Sequence, residues 1–290
     1  MKPGIYNIPD TEYFAAEGIN NSGLKHLSRS PAHYYAKCLD PNRPPDAPTP
    51  SMQAGSSLHT AILEPHLFHS RHAILPADAP RRPSSAQINA KNPSPQTKID
   101  VRWWNDWNSL HGHKQIISAE EAARYLHVGE LIRSHPEIMG YMIKGTAEQS
   151  IFANDPETGI LCKARPDWMT SIAGLNVVID FKSTDDARIE AFQRTAYNFG
   201  YFQQAAFYTD VIRWSGMDEV DLWLFVAFER DAPHGIKVYE VQSNELYLGR
   251  EQYRKALNLY TYCIDTGEWP SYDTSIEALE FPKWAKELKI

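Results

Sequence analysis

Residues 160–183, ILCKARPDWMTSIAGLNVVIDFKS, decide the reading of this chain. Asp167 stands in RPDW and Asp180 in VVIDFKS, thirteen residues later, enough for one strand to end, turn through Ser171–Gly174 and return alongside. Strand alternation then puts Asp180 and Lys182 on one face and Phe181 on the other. Two carboxylates and an ammonium converge at a sheet edge, and VVI ahead of Asp180 marks a buried strand whose charged end solvation does not readily explain. Hard oxygen ligands of this kind suit Mg²⁺ or Mn²⁺, which takes one or two carboxylates with waters and substrate phosphates. A lysine beside such a cation can hold an attacking water and offset charge on a phosphate in the transition state. A D-x-K in a strand is also a common surface pair, and Pro-Asp a common turn start, so spacing alone leaves both readings open.

Outward from this stretch, EQSIFAN (148–154), DPETG (155–159) and ILCKARPDWM (160–169) read as a β-hairpin punctuated by Asp-Pro and Gly. LNVVIDFKS (175–183) is a third strand, and a long helical stretch follows from about Ala187 to Trp214, with a break near Gly200. Strands at 221–229 and 236–242 and a helix from about Ser243 to Cys263 complete this half. The order predicts an α/β fold, a mixed sheet flanked by helices. Upstream, SMQAGSSLHTAILEP (51–65) has helical spacing, carries His59 and stops at Pro65. A short helix is expected after Asn21 or Ser22, with a restart at Ser30-Pro31. Ser118 and Glu121 form a capping box that opens a helix ending near His135-Pro136. Half of the 20 prolines fall in 41–50 and 76–95, and residues 81–98 carry four basic and no acidic side chains, so these stretches read as loops. The chain therefore divides as a single domain, 1–290. Its helical and irregular N-terminal portion is 1–145, with proline-rich loops at 41–50 and 76–98; a catalytic sheet core spans 146–265 and a tail 266–290.

The 290 residues hold 29 basic and 36 acidic side chains, net −7. Residues 1–144 contribute 15 − 13 = +2 and residues 145–290 contribute 14 − 23 = −9, so any contact with a polyanion is confined to a patch or channel. Three dispersed cysteines (Cys38, Cys162, Cys263) give neither a disulfide framework nor a metal cage, and fit a reducing compartment. The N-terminal stretch lacks a signal peptide's apolar core, and the longest apolar run, LWLFVAF, is far short of a membrane span. A cytoplasmic protein is expected, with no membrane partner.

The ordered set PD (166–167) and DFK (180–182), with Gly55–His59 as GxxxH before it and Gln204–Tyr208 as QxxxY after it, resembles the PD-(D/E)xK nuclease superfamily, restriction-endonuclease-like in its core. Within it the chain is similar to the RecB-like clade, and specifically to the RecE-type exonucleases, in the opening NSGLKHLSRSPAHYY, the lead-in CKARPD and the FYTDVI tail. The resemblance implies that Asp167, Asp180 and His59 hold Mg²⁺ (Mn²⁺ substituting), with the Phe181 carbonyl as a further ligand, and that Lys182 orients the nucleophilic water. It further implies an exodeoxyribonuclease acting on double-stranded DNA ends, 5′ to 3′, leaving 3′ overhangs for phage-type recombination. A ring-shaped homo-oligomer, a tetramer by analogy, and a RecT-like annealing partner follow from the same resemblance.

Several residues keep a second reading. His59 beside Leu58 and Ile62 also suits an ordinary helix histidine, and Gln204 and Tyr208 share a helix face that suits a packing stripe. Glu148, at the mouth of the first strand, is either an active-site acid or a solvated strand start. Lys163 and Arg165 face one side of their strand and either touch phosphate or pair with acids. Trp103, Trp104 and Trp107 offer stacking surfaces or core. A different PD-(D/E)xK endonuclease and a non-catalytic DNA-binding scaffold are the alternatives. Members with an iron–sulfur cluster need four cysteines, one more than this chain has.

Overall fold

The computed structural model describes residues 1–44 and 47–280. Part of the 41–50 loop and residues 281–290 of the 266–290 tail expected above therefore lie outside the described residues. The N-terminal portion runs β1 (Gly4–Tyr6), α1 (Asp10–Ala15), α2 (Asn21–Arg29), α3 (Pro31–Tyr34), α4 (Pro50–Leu63), α5 (Phe68–Arg71), β2 (His72–Leu75), α6 (Ser85–Ile88), α7 (Pro95–His111), β3 (Gln115–Ser118) and α8 (Ala119–Arg133). It continues with β4 (Thr146–Ala147), β5 (Ser150–Asn154), β6 (Leu161–Ala164), β7 (Trp168–Ile172), β8 (Leu175–Thr184), α9 (Ile189–Phe199), α10 (Tyr201–Trp214), β9 (Leu222–Glu229), β10 (Ile236–Glu240) and α11 (Ser243–Thr266).

Helix starts follow local chemistry. The Asn20 side chain accepts from Gly23 N–H at 2.9 Å and opens α2. Ser30 with Pro31 and Thr49 with Pro50 do the same for α3 and α4. Ser118 and Glu121 form the full capping box of α8. The 76–98 stretch is not wholly loop, contrary to expectation. Ser84 and Gln87 close a second capping box that starts α6, and Ser94 with Pro95 starts α7, so the same residues that break structure here serve as caps.

A five-stranded sheet of order β10-β9-β8-β7-β4 forms the centre; β8 and β9 are parallel and the other neighbours antiparallel. A three-stranded antiparallel sheet, β1-β5-β6, stands apart from it. The second arm of the expected hairpin, 160–169, is therefore two strands: β6 stays with β5, while β7 joins β8 in the central sheet. Arg165-Pro166-Asp167 is the crossing point, because Pro166 has no N–H for a ladder and holds the residue before it extended. Asp167 thus sits at a break between sheets.

Both faces of the central sheet are covered, which is why LWLFVAF reads as a continuous apolar run. Val177, Ile179 and Phe181 of β8 pack with Leu58, Ala61 and Ile62 of α4 and with Tyr125 and Val128 of α8. Val178 faces the other way with Trp223 and Phe225 of β9, against Phe207 and Val211 of α10 and Tyr253 of α11. At the α4–α8 crossing a Cβ on Gly129 would lie 2.5 Å from the Ala61 carbonyl oxygen, so only glycine allows this approach, two residues from His59. Asp210, 1% exposed on α10, is held by Arg250 of α11 at 2.6 and 2.9 Å, by Arg213 at 2.9 Å and by the Tyr253 hydroxyl.

Candidate active site

The Trp168–Ile179 pair is the last ladder pair of β7 and β8, so Asp167 and Asp180 come next, facing each other where β7 begins. The Asp167 carboxylate accepts from the Phe181 N–H at 2.8 Å, which ties the crossing point to β8. Asp180 is fully buried on the α10 face of the sheet. Its Oδ2 accepts from Gln204 Nε2 at 2.7 Å, and its Oδ1 lies 2.5 Å from Lys182 Nζ but has no aligned hydrogen bond. Lys182 Nζ donates to Gln204 Oε1 at 3.0 Å and stands 4.6 Å from the centroid of the Tyr201 ring. One glutamine amide therefore positions both the acid and the ammonium, because i and i+2 on β8 share a face that α10 covers.

His59 reaches the same place from α4. Its Nε2 lies 3.3 Å from the Phe181 carbonyl oxygen, while Nδ1 faces Asp167 at 3.6 Å and Glu148 at 3.9 Å. Glu148 has a φ of +47°, a left-handed conformation that costs a non-glycine residue energy, and its N–H donates to the Asp167 carbonyl at 3.0 Å. This strained link turns the Glu148 carboxylate between His59 and Arg165, whose Nη2 lies 3.2 Å from Glu148 and 2.8 Å from Asp10.

The charges set one another. Burial and the neighbouring Asp180 push Asp167 up to about 7, against the pull of His59 and Lys182. Burial alone would lower His59, but Asp167 and Glu148 outweigh it and raise the imidazole to about 9. Burial likewise opposes the Lys182 charge, and Asp180 and Asp167 more than restore it, so the ammonium stays protonated above its usual range. Burial would raise Glu148, but His59 and Arg165 hold it below the ordinary carboxylate range.

A hard divalent cation fits this donor set. Asp180 Oδ1 is a buried carboxylate oxygen without a hydrogen bond, Asp167 faces it, and the Phe181 carbonyl is directed at His59 on the same rim. The His59 and Lys182 cations neutralise the carboxylates as the residues stand. Among the described residues no three His, Cys, Asp or Glu side chains already form a metal cage.

Asp167, Asp180, Phe181, Lys182, His59, Glu148 and Gln204 are thus brought together. Tyr208 is one turn further along α10; its hydroxyl meets the Arg165 backbone, and burial first, then the Tyr13, Asp180 and Asp167 charges, push it well above its usual range. It braces the crossing point beside the cluster. Arg165 pairs with acids, as its second reading had it. Lys163 corrects the phosphate expectation: it is 4% exposed, and its ammonium donates to the Tyr13 and Ala16 carbonyls at 2.9 and 2.6 Å, the last turn of α1. Trp104 is core, donating to the Pro80 carbonyl, while Trp103 and Trp107 stack on each other at 5.4 Å. Tyr201 and Asp10 were not foreseen as site residues. Tyr201 lies one helical turn before Gln204, a signal that could have found it; Asp10 has none.

No curated protein matches the sequence. Among solved structures the chain is similar to a candidate exonuclease from Eubacterium rectale, with TM-score 0.57 and 13% identity over 98% of this chain and 100% of that one. That likeness is one of fold. A phage related exonuclease from Haemophilus somnus 129PT superposes at TM-score 0.31 with 16% identity, over 73% of this chain and 95% of that one. A family profile described as a PDDEXK-like domain of unknown function (DUF3799) matches residues 20–281. With that span matched, and a mixed sheet carrying Asp167, Asp180 and Lys182 at its broken edge, the chain belongs to the PDDEXK-like family DUF3799.

Proposed function

We propose that this chain is a Mg²⁺-dependent exodeoxyribonuclease that hydrolyses phosphodiesters of linear double-stranded DNA, 5′ to 3′, and leaves 3′ single strands for phage-type recombination. The observation that carries the nuclease reading is the convergence of Asp167, Asp180 and the Gln204-held ammonium of Lys182 at one end of β7 and β8. Polarity, end dependence, the recombination role, a ring-shaped oligomer and a RecT-like partner rest on the resemblance to RecE-type exonucleases.

Asp167, Asp180, the Phe181 carbonyl and His59 would hold the cation, which when bound supplies Lewis-acid polarisation of the phosphate and lowers the pKa of water. Asp180 and Asp167 favour the charged form of Lys182, which suits its ammonium to donate hydrogen bonds. Its N–H groups orient the water that attacks phosphorus in line, and its charge offsets the negative charge gathering on the phosphoryl oxygens as the opposite P–O bond breaks. Gln204 fixes where that ammonium points, and the strained Glu148 link keeps His59 turned toward Asp167.

The test is digestion of a linear duplex labelled at either 5′ or 3′ ends beside a covalently closed circle, with Mg²⁺ or with chelator. Immediate release of the 5′ label as a short product and stepwise shortening of the 3′-labelled strand, from the linear substrate only and in Mg²⁺ only, is the expected result. Cutting of the circle would make it an endonuclease, and no cutting in Mg²⁺ or Mn²⁺ would leave a DNA-binding scaffold.

A further inference from the structure

We propose that a row of two stacked rings held between two cations, Lys182–Tyr201–Phe199–Lys25, is the track on which the strand being cut lies, with a backbone phosphate at Lys25 and a base against the exposed side of Phe199. The inference rests on the nuclease reading above and extends it to a strand-binding subsite. Gly200 sits between α9 and α10 with φ +66°, and this left-handed break lets the residues on either side of it stack instead of continuing one helix. Phe199 and Tyr201 rings lie 6.0 Å apart at an interplanar angle of 22°. On one side of the pair Lys182 Nζ is 4.6 Å from the Tyr201 centroid; on the other, Lys25 Nζ, from α2, is 6.0 Å from the Phe199 centroid.

Two features say that this row faces a ligand. Phe199 is 56% exposed although it closes a helix that could have ended on a polar residue. Lys25 is exposed, and among the described residues it forms no ion pair, which leaves its ammonium open to a phosphate. An exposed ring beside a free cation is the chemistry that holds a nucleic-acid strand, a phosphate on the charge and a base against the ring, without selecting sequence. Continuity with Lys182 assigns the strand to the one whose phosphate enters the active site.

The experiment uses the full chain and its Lys25→Ala, Phe199→Ala and Phe199→Trp variants. Binding of a fluorescent 20-nucleotide single strand is followed by anisotropy across a salt series in chelator, so that nothing is cut, and thermal unfolding is recorded for each variant. Lys25→Ala is expected to weaken binding several-fold and to flatten the log K against log salt slope by about 0.7, the share of one phosphate on a single strand. Phe199→Ala is expected to weaken it about tenfold with the slope unchanged, and Phe199→Trp to restore it. In Mg²⁺, both alanine variants should raise KM for linear duplex more than they lower kcat. Wild-type binding and salt slope in both alanine variants would overturn the track, as would losses that follow a lowered melting temperature and are not restored by tryptophan. The first of those outcomes would point to a protein partner at this patch. If the wild-type chain itself neither binds nor cuts DNA, the nuclease reading fails and the track with it; if it cuts normally, only the track is lost.

Discussion

Gln204 separates a structural from a functional account of α10 most sharply. Its amide accepts from Lys182 at 3.0 Å and donates to Asp180 at 2.7 Å, and Asp180 is fully buried. Each is a hydrogen bond to a charged group, worth roughly 1.5–3 kcal/mol, and a buried carboxylate oxygen left without its donor costs about 1–3 kcal/mol. Lys182 retains some solvent access, so water can replace part of what Gln204→Leu removes, and a loss near 2 kcal/mol is expected, about 4 °C in melting temperature. The larger effect should be on rate, because Lys182 then loses the acceptor that fixes where its ammonium points; about a hundredfold in kcat is expected from misplacing the group that orients the water. Gln204→Glu keeps the shape and replaces the donor facing Asp180 with an acceptor, putting oxygen against oxygen. It should be at least as damaging as leucine at neutral pH, and less so in acid, where the new carboxyl carries a proton. Urea unfolding and single-turnover cleavage of linear duplex read both effects. A glutamate variant as stable and active as wild type would refute the bridging role and leave Gln204 as packing.

Asp167 is held near 7 by burial and Asp180 and His59 near 9 by Asp167 and Glu148, so a divalent cation held by both must displace both protons; Mg²⁺ affinity should fall as pH drops from about 9 through 7, with proton release visible by calorimetry in buffers of different ionisation enthalpy. His59 is raised from its ordinary 6.5 to about 9 in the folded chain, so its contribution to stability is full below pH 6.5 and is lost as pH rises toward 9; His59→Ala should flatten the urea midpoint across that window. Asp210→Ala strands Arg250 and Arg213 in part and removes the carboxylate shared by α10 and α11; a destabilisation of about 3–5 kcal/mol is expected by chemical denaturation, with cleavage retained at low temperature. Lys163→Met should lower stability by freeing the α1 carbonyls, yet leave the salt slope of DNA binding unchanged, since no phosphate reaches that ammonium.

The central geometry was legible because alternation along β8 is a local rule: Val178, Asp180 and Lys182 on one face and Phe181 on the other follow from any extended strand, and the structure has them so. Helices α4 and α8 were legible from caps and periodicity, and the Gly200 break from the one residue that tolerates its φ. The separation of β6 and β7 into different sheets was not, because Pro166 announces a broken ladder without saying where the next strand goes. Lys163 was misread for a related reason. Alternation correctly set it beside Arg165, both near the Tyr13 ring, but what covers that face is α1, about 150 residues away in sequence, and no local pattern places those carbonyls. The partnership of Arg165 with Asp10 is hidden for the same reason. Ser84 and Ser94 show the reverse ambiguity: proline and serine density reads as loop, although the same residues cap α6 and α7.

The most direct test of the account is Mg²⁺-dependent cleavage of an end-labelled linear duplex by the wild-type chain and by Asp180→Asn, which keeps the shape and the Gln204 contact but removes the charge. The account predicts shortening by the wild type, none in chelator, and a loss of at least about a thousandfold in the variant with its melting temperature within a few degrees of wild type. Cleavage by Asp180→Asn at a rate close to wild type would contradict it.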